Sequence, residues 1–97
     1  MARVIYAAEA LADLERLADF LLEQAPESAP AALARVSSAI EILADHPLIG
    51  RRVEGELREL VILRGASGYI ALYRFDPVRE IVRLLRIRHQ RELGYRD

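Results

Sequence analysis

The stretch "LRELVILRGASGYIALYRF", residues 57–75, decides the fold of this chain. It contains two runs rich in leucine, isoleucine, valine and tyrosine, Leu57–Leu63 and Tyr69–Phe75, on either side of the turn "RGASG". Two apolar runs of this length that flank a short turn with glycine predict an antiparallel β-hairpin. The centre of the sheet is therefore expected to be antiparallel.

A third strand is predicted directly after this hairpin. The turn "DPVR", residues 76–79, is followed by the apolar run "EIVRLLRIR", Glu80–Arg88. This order predicts an antiparallel meander of three strands. Strict alternation gives the last strand two faces: one carries Ile81, Arg83, Leu85 and Ile87, and the other carries Val82, Leu84, Arg86 and Arg88.

The N-terminal half predicts one short strand and two helices. "RVIY", Arg3–Tyr6, is short and β-branched, which favours an opening strand. Beyond it, apolar residues recur every three or four positions, which predicts two amphipathic helices. The expected apolar stripes are Leu11, Leu14, Ala18, Leu21 and Ala25 on the first helix, and Leu33, Val36, Ile40 and Leu43 on the second.

Polar residues and turn formers mark the limits of these helices. Asp13, Glu15, Arg16 and Glu23 fall mostly outside the first apolar stripe. Pro26 ends the first helix, Ser28 is the expected N-cap of the second, and Pro30 suits its first turn. The segment "HPLIGRRVEGE", residues 46–56, is rich in turn formers and is predicted to be a loop.

These elements predict a single α+β domain over residues 1–97. Its parts are an N-terminal strand, a helical hairpin packed on one face of an antiparallel β-meander, and a short C-terminal tail or helix. Both faces of the middle strand are apolar: Tyr69, Ala71, Tyr73 and Phe75 point one way, and Ile70, Leu72 and Arg74 point the other. The helices cover one face only, and an uncovered face of apolar residues, tyrosines and arginines is typical of a binding surface.

Composition argues against several classes of site. The chain has no cysteine, and its two histidines, His46 and His89, lie far apart in sequence. Neither a disulfide framework nor a zinc site is expected, and no cofactor is predicted. Acidic residues interrupt the N-terminal segment every few positions, which excludes the apolar run of a signal peptide or a membrane span. A cytoplasmic protein is the default expectation.

Charge is divided between the two halves of the chain. Residues 1–48 carry a net charge of −5 and residues 49–97 a net charge of +4, and all fourteen basic residues are arginine. Five of these arginines lie in "RLLRIRHQRELGYRD", residues 83–97. Clustered like charges repel unless a partner or interspersed acids relieve them. A nucleic acid, an acidic protein and solvent are the three alternatives for what this segment faces.

Four segments cover nearly the whole chain in a fixed order: "ALADLERLADFL", "AIEILADHPLIGRRV", "LRELVILRGASGYIALYRF" and "IVRLLRIRHQRELGYR". In this order and in local sequence, the chain resembles the RelE/ParE family of bacterial toxins from type II toxin–antitoxin systems, also described as plasmid stabilisation proteins. The ordered combination is specific, whereas "HPLIGR" alone is weak. Ala7 and Ala8 depart from the serine or threonine helix cap that is common in the family.

The resemblance implies a toxin that is held inactive in a hetero-oligomer with a cognate antitoxin, whose C-terminal segment wraps it. It leaves the target open, because RelE-like members cut messenger RNA on the ribosome whereas ParE-like members are associated with inhibition of DNA gyrase. A member that still binds its antitoxin but has lost toxicity is a third interpretation.

An endoribonuclease must deprotonate the 2′-hydroxyl, protonate the leaving oxygen and stabilise charge on phosphorus. The candidate residues for this chemistry are Arg64, Arg86, Arg88, His89 and Tyr95. Two features oppose the ribonuclease. The chain has no lysine to match the lysines of several ribonuclease members, and Tyr69 stands where those members carry an arginine at the start of the third strand.

The preferred interpretation is a ParE-like toxin that inhibits DNA gyrase by binding. The expected target-binding residues are Arg88, His89, Arg91 and Tyr95. The expected antitoxin contacts are Tyr69, Ala71, Tyr73, Arg74 and Arg86, which would meet an acidic, amphipathic segment of the antitoxin.

Overall fold

The two predicted helices and the predicted strands are present in the computed structural model, which describes residues 1–63 and 68–89. The elements in chain order are β1 (Arg3–Tyr6), α1 (Ala8–Gln24), α2 (Ala29–Asp45), β2 (Arg51–Glu54), β3 (Leu57–Leu63), β4 (Tyr69–Asp76) and β5 (Ile81–His89). The predicted α+β class and the positions of both helices are confirmed.

The strands form one mixed sheet in the order β1-β5-β4-β3-β2. Neighbours from β2 to β5 are antiparallel, which confirms the meander. β1 lies at the edge and pairs parallel with β5, so that Val4 stands opposite Val82. The helical hairpin supplies the long connection that allows the first strand to lie beside the last.

The strand β2 was not predicted. Its four residues lie within the segment expected to be a loop, all four are exposed, and three of them are charged. It pairs with the first residues of β3 across a turn in which Gly55 has a φ of 56°. An edge strand that buries nothing has no alternating apolar pattern, so periodicity could not reveal it.

Both helices pack on the same face of the sheet. The core joins Tyr73, Val82 and Leu84 of the sheet, each with no exposed surface, to Leu17 of α1 and Ile40 of α2. Val36, Ile40 and Leu43 are buried as the stripe of α2 predicts. The opposite side of the sheet, called here the open face, carries Arg74 and Arg83.

The predicted stripe of α1 is rotated from the observed one. Its buried residues are Ala10, Asp13 and Leu17, whereas Leu11 is 50% exposed. Leu14 and Leu21 are partly buried against the core, as expected. The prediction was wrong for Leu11 and Asp13 because the helix places a carboxylate, and not a leucine, at the centre of its contact with β5.

The predicted alternation of β5 fails at Leu85. Tyr73 pairs with Leu84 and Leu72 pairs with Arg86, so that Leu85 has no partner on β4. This β-bulge shifts the later residues by one position. As a result Ile87 joins Val82 and Leu84 in the core, and not the face of Arg83 to which alternation assigned it.

The helix starts carry no side-chain caps. Ala7 precedes α1 without a capping side chain, in keeping with the departure noted in the sequence. Ser28 occupies the predicted N-cap position of α2 and Pro30 lies in its first turn, but the Ser28 hydroxyl donates to the Ala25 carbonyl at 3.4 Å and does not cap the helix.

The loop before β2 is fixed to the sheet at Gly50. Its amide donates to the buried Tyr73 hydroxyl at 2.8 Å, and Arg58 donates to its carbonyl at 2.8 Å. A Cβ at this position would lie 2.5 Å from the Tyr73 hydroxyl and 2.8 Å from the Glu59 carbonyl. The glycine of "HPLIGR" is therefore required by close packing.

Candidate functional site

The structure brings several predicted site residues together at the end of β5. Tyr69, the first residue of β4, pairs in register with His89, and their rings meet edge-to-face with centroids 5.1 Å apart. Arg86 and Arg88 precede His89 on the same strand. The predicted site residues Arg64, Arg91 and Tyr95 lie outside the described residues.

Asp13 of α1 forms the other side of this site. Its Oδ2 atom accepts a hydrogen bond from Arg86 Nε at 2.7 Å, and its Oδ1 atom accepts one from Arg86 Nη2 at 3.1 Å. Arg16, one turn along the helix, donates to Oδ1 as well. The Asp13 side chain is 1% exposed, whereas the side chain of Arg86 is 36% exposed. This two-point geometry is the strongest form of a carboxylate–guanidinium contact.

The sheet edge explains why an acid is buried at this point. β1 ends at Tyr6, opposite Leu84, and the Ala7 amide makes a last bond to the Leu84 carbonyl at 2.8 Å. β5 then continues without β1 beside it. There the Ile87 amide donates to Asp13 Oδ2 at 2.9 Å, so a side-chain carboxylate takes the place of a strand carbonyl.

The surroundings of Asp13 determine its pKa. Burial alone would raise the pKa of this carboxyl group, but the hydrogen bonds from Arg86 and from the Ile87 amide, with the charges of Arg86 and Arg16, outweigh burial. The pKa of Asp13 is therefore held below its ordinary value. Asp13 is charged at neutral pH and offsets part of the positive charge at the end of β5.

A cleft of about 290 Å³ lies beside this ion pair. We call it the arginine cleft, and its lining residues are Asp13, Arg16, Leu17, Phe20, Tyr69, Arg86, Ile87 and Arg88. It combines guanidinium groups with the ring of Phe20, which is 41% exposed. Such a surface suits carboxylates, phosphates or the planar groups of a protein partner.

The antitoxin contacts predicted on β4 require a correction. Ala71 and Tyr73 have no exposed surface and belong to the core under the helices. They offer no side chain to a partner that docks on the folded chain. The prediction failed because both faces of β4 are apolar, so alternation could not identify the face that packs on the helices. Arg74, also predicted, is exposed on the open face.

A second concave surface, missed by the sequence reasoning, lies between α2 and β3. This opening of about 580 Å³, called here the edge groove, is lined by Ala34, Arg35, Ser38, Ala39, Ile42, Val61, Ile62 and Leu63. β2 pairs only as far as Glu59, so among the described residues no strand covers the outer edge of β3 from residue 60 to 63. The available signal was Ile42, an apolar residue outside the α2 stripe that is 45% exposed.

The structure gives no sign of two other kinds of site in the ranges 1–63 and 68–89. No helix there is long and apolar enough to cross a membrane. No group of three or more histidine, aspartate or glutamate side chains is arranged to hold a metal ion within those ranges.

Comparison with known proteins was made for the sequence and for the fold. The family described as "ParE toxin of type II toxin-antitoxin system, parDE" matches residues 4–94. Toxin RelE3 of Caulobacter vibrioides is 41% identical over 80 residues, which are 82% of this chain and 85% of that protein. Toxin RelE2 of the same organism is 33% identical over 93 residues, which are 96% of this chain and 100% of that protein.

The fold is also found in solved structures. A chain of the chromosomal ParDE toxin–antitoxin system from P. aeruginosa superposes with a TM-score of 0.73 at 22% identity, and the match covers 92% of this chain and 96% of that one. At this identity the likeness concerns the fold alone. The family match over residues 4–94 and the two similar toxins decide the assignment: the chain belongs to the ParE toxin family of type II toxin–antitoxin systems.

Proposed function

We propose that this chain is a toxin that inhibits DNA gyrase by binding and that a cognate antitoxin neutralises it. The observation that carries the choice of binding over RNA cleavage is the two-point contact between Arg86 and Asp13. Arg86 is a candidate for stabilising charge on phosphorus, and its guanidinium already holds a buried carboxylate. A phosphate bound to the same two donors, Nε and Nη2, would have to displace that carboxylate and would remove a charged partner from the buried Asp13 side chain.

The need of RNA cleavage for an acid and a base also favours binding over cleavage. His89, which follows Arg88 on β5 beside the arginine cleft, is the candidate among the described residues for acid or base chemistry. Its ring packs against Tyr69. Asp13 is a poor general base because its pKa is lowered and both of its oxygens accept hydrogen bonds. The cleavage reaction needs both an acid and a base.

Binding to a protein target requires only suitable contact residues at this surface, and no acid or base. Arginine and aromatic side chains are enriched where protein interfaces bind most strongly. Arg16, Phe20 and Arg88 line the arginine cleft in this combination. The resemblance to ParE-like members suggests DNA gyrase as the target. The expected target-binding set of Arg88, His89, Arg91 and Tyr95 stays a prediction.

The edge groove supports the neutralising half of the proposal. An uncovered strand edge beside an apolar groove is a template for an added strand. Val61, Ile62 and Ala39 give the groove apolar walls. We expect an apolar segment of the antitoxin to lie along the outer edge of β3 in a hetero-oligomer, in place of the predicted contacts at Ala71 and Tyr73.

The second candidate function is a ribosome-dependent messenger RNA endoribonuclease. The names of the two similar Caulobacter vibrioides proteins, Toxin RelE3 and Toxin RelE2, favour it. In that mechanism His89 is the candidate acid or base. Loss of a general acid or base lowers the rate of such a reaction by about 10²- to 10⁴-fold.

One pair of assays separates the two functions. The purified chain should inhibit supercoiling by DNA gyrase and should leave ribosome-bound messenger RNA intact. The variant His89→Gln keeps a polar side chain but cannot exchange protons near neutral pH, and it should retain most of the gyrase inhibition. Cleavage of messenger RNA on ribosomes by the purified chain, abolished in His89→Gln, would overturn the gyrase proposal.

A further inference from the structure

Two arginines stand directly opposite one another on the open face of the sheet. Arg74 of β4 pairs in register with Arg83 of β5, and both side chains are exposed. Tyr73 and Val82, their neighbours along the strands, point into the core. Side chains in directly opposed positions of adjacent strands have Cβ atoms about 5 Å apart. Arg74 and Arg83 therefore hold two positive charges side by side.

Neither guanidinium has an acidic partner among residues 1–63 and 68–89. The nearby acids have other contacts. Asp76 accepts hydrogen bonds from the Val78 amide at 3.0 Å and the Arg79 amide at 3.2 Å. Glu56 meets Arg52 at 3.5 Å. Like charges directly opposed across strands are destabilising, so this pair weakens the chain when it is alone.

The two arginines line a shallow depression of about 470 Å³. Its other lining residues are Glu56, Phe75, Asp76, Pro77 and Ile81. Arginine mixed with apolar side chains is typical of a protein interface. The whole chain has a net charge of −1, unlike the strongly basic proteins that bind nucleic acid, and the lining carboxylates of Glu56 and Asp76 already have contacts within the chain. The depression therefore fits a protein partner with carboxylates.

We propose that Arg74 and Arg83 form a docking site for the carboxylates of an acidic segment of the antitoxin. The inference rests on the neutralising half of the proposed function and not on the identity of the target. Bound carboxylates would remove the repulsion between the two guanidinium groups. The complex should thus relieve an unfavourable contact that the free toxin retains, and charge complementarity should speed its formation.

The variant Arg83→Glu tests this site because it should move two measurements in opposite directions. A glutamate opposite Arg74 turns the repulsive pair into an attractive one, which should raise the Tm of the free chain by about 2–6 °C. The same change should weaken binding of the purified, full-length cognate antitoxin at least about tenfold at low salt, chiefly through slower association.

A matched control is available in the turn between β4 and β5. Arg79→Glu makes the same change in net charge on an exposed arginine that lies 3.9 Å from the Asp76 carboxylate. It should leave the Tm unchanged or lower, and it should change antitoxin affinity less than about threefold. Equal losses of affinity in the two variants would show an effect of overall charge and overturn the proposal.

Unchanged antitoxin affinity in Arg83→Glu, or a fall in the Tm of its free chain, would also overturn the proposal. So would a nucleic-acid site, in which the wild type binds a labelled RNA or DNA duplex and Arg83→Glu loses that binding but still binds the antitoxin. Gyrase inhibition is measured on the same proteins and should be equal in both variants and the wild type. If none of the three inhibits gyrase, the target assignment fails while the antitoxin measurements still decide this site.

Discussion

The two edges of the sheet end in different ways. On the β5 side, β1 covers the strand up to Leu84, and beyond it the Asp13 carboxylate accepts the hydrogen bond of the Ile87 amide. On the β3 side, β2 covers the strand up to Glu59, and none of the described residues pairs with the outer edge from residue 60 to 63. Within the described residues, the chain supplies a hydrogen-bond acceptor beyond β1 on the β5 side and no pairing strand beyond β2 on the β3 side.

We expect the β5 edge to determine the stability of the fold and the β3 edge to determine the binding of a partner. The β5 edge is closed by a buried ion pair, whose disruption should act on the free energy of unfolding. The β3 edge is bordered by an apolar groove, whose alteration should act on the affinity for a partner and leave the fold intact. Changes at the two edges should therefore affect different measurements.

The largest effect on stability is expected when the Asp13 contacts with β5 are removed. Asp13→Ala removes the acceptor for Arg86 and for the Ile87 amide, and it leaves a buried amide without a partner. The free energy of unfolding should fall by about 3–5 kcal/mol, measured by urea denaturation.

The control for this loss is Asp19→Ala on the same helix. Asp19 is exposed, so its removal should change the free energy of unfolding by less than about 0.5 kcal/mol. A similarly small change in the free energy of unfolding for Asp13→Ala would mean that the stability of the β5 edge does not depend on this carboxylate.

A smaller effect, on antitoxin binding alone, is expected when the edge groove beside β3 is blocked. Ala34 is exposed and lines the edge groove, so Ala34→Trp should fill the space without disturbing the core. The affinity for the antitoxin, measured by calorimetry, should fall by about 2 kcal/mol, with the Tm of the free chain nearly unchanged.

Ala12→Trp provides the comparison, because Ala12 is exposed on α1 and does not line the edge groove. This variant should bind the antitoxin as the wild type does. Equal affinities for both tryptophan variants would place the antitoxin elsewhere.

The smallest effect concerns how the stability contributed by Asp13 depends on pH. Because the pKa of Asp13 is lower in the folded chain than its ordinary value of 3.8, folding favours the charged carboxylate. Its contribution to stability is complete above the ordinary pKa and is lost as the pH falls through the lowered pKa of the folded chain. Asp13→Asn should therefore show a shallower decline in stability below pH 4 than the wild type, measured by urea titration at a series of pH values.

Apolar periodicity was sufficient for the helices, for the three central strands and for the class of fold. It failed at Asp13, since amphipathic patterns assign charged residues to the outside of a helix. The sequence did hold a signal, because Asp13 lies three residues after Ala10 and four before Leu17, on the face that those two residues define. A buried acid of this kind has to be inferred from position and not from polarity.

The site was harder to predict because it depends on register. Nothing in "IVRLLRIRH" marks Leu85 as the residue without a cross-strand partner, yet the bulge there decides which later side chains enter the core. The repulsive pair of Arg74 and Arg83 also exists only because β4 and β5 meet in one register. Sequence patterns identify the strands, whereas these contacts arise from how two distant segments align.

The position of β1 beside β5 also constrains how the chain folds as it is made. The Ile87 amide and its acceptor Asp13 are 74 residues apart, and contacts between such distant segments close slowly. Until β5 has left the ribosome, β1 has no neighbour and the helices lack the core residues Val82, Leu84 and Ile87. A nascent chain that stops before Ile81 therefore lacks these core residues, and we expect folding to be completed only after β5 has been synthesised.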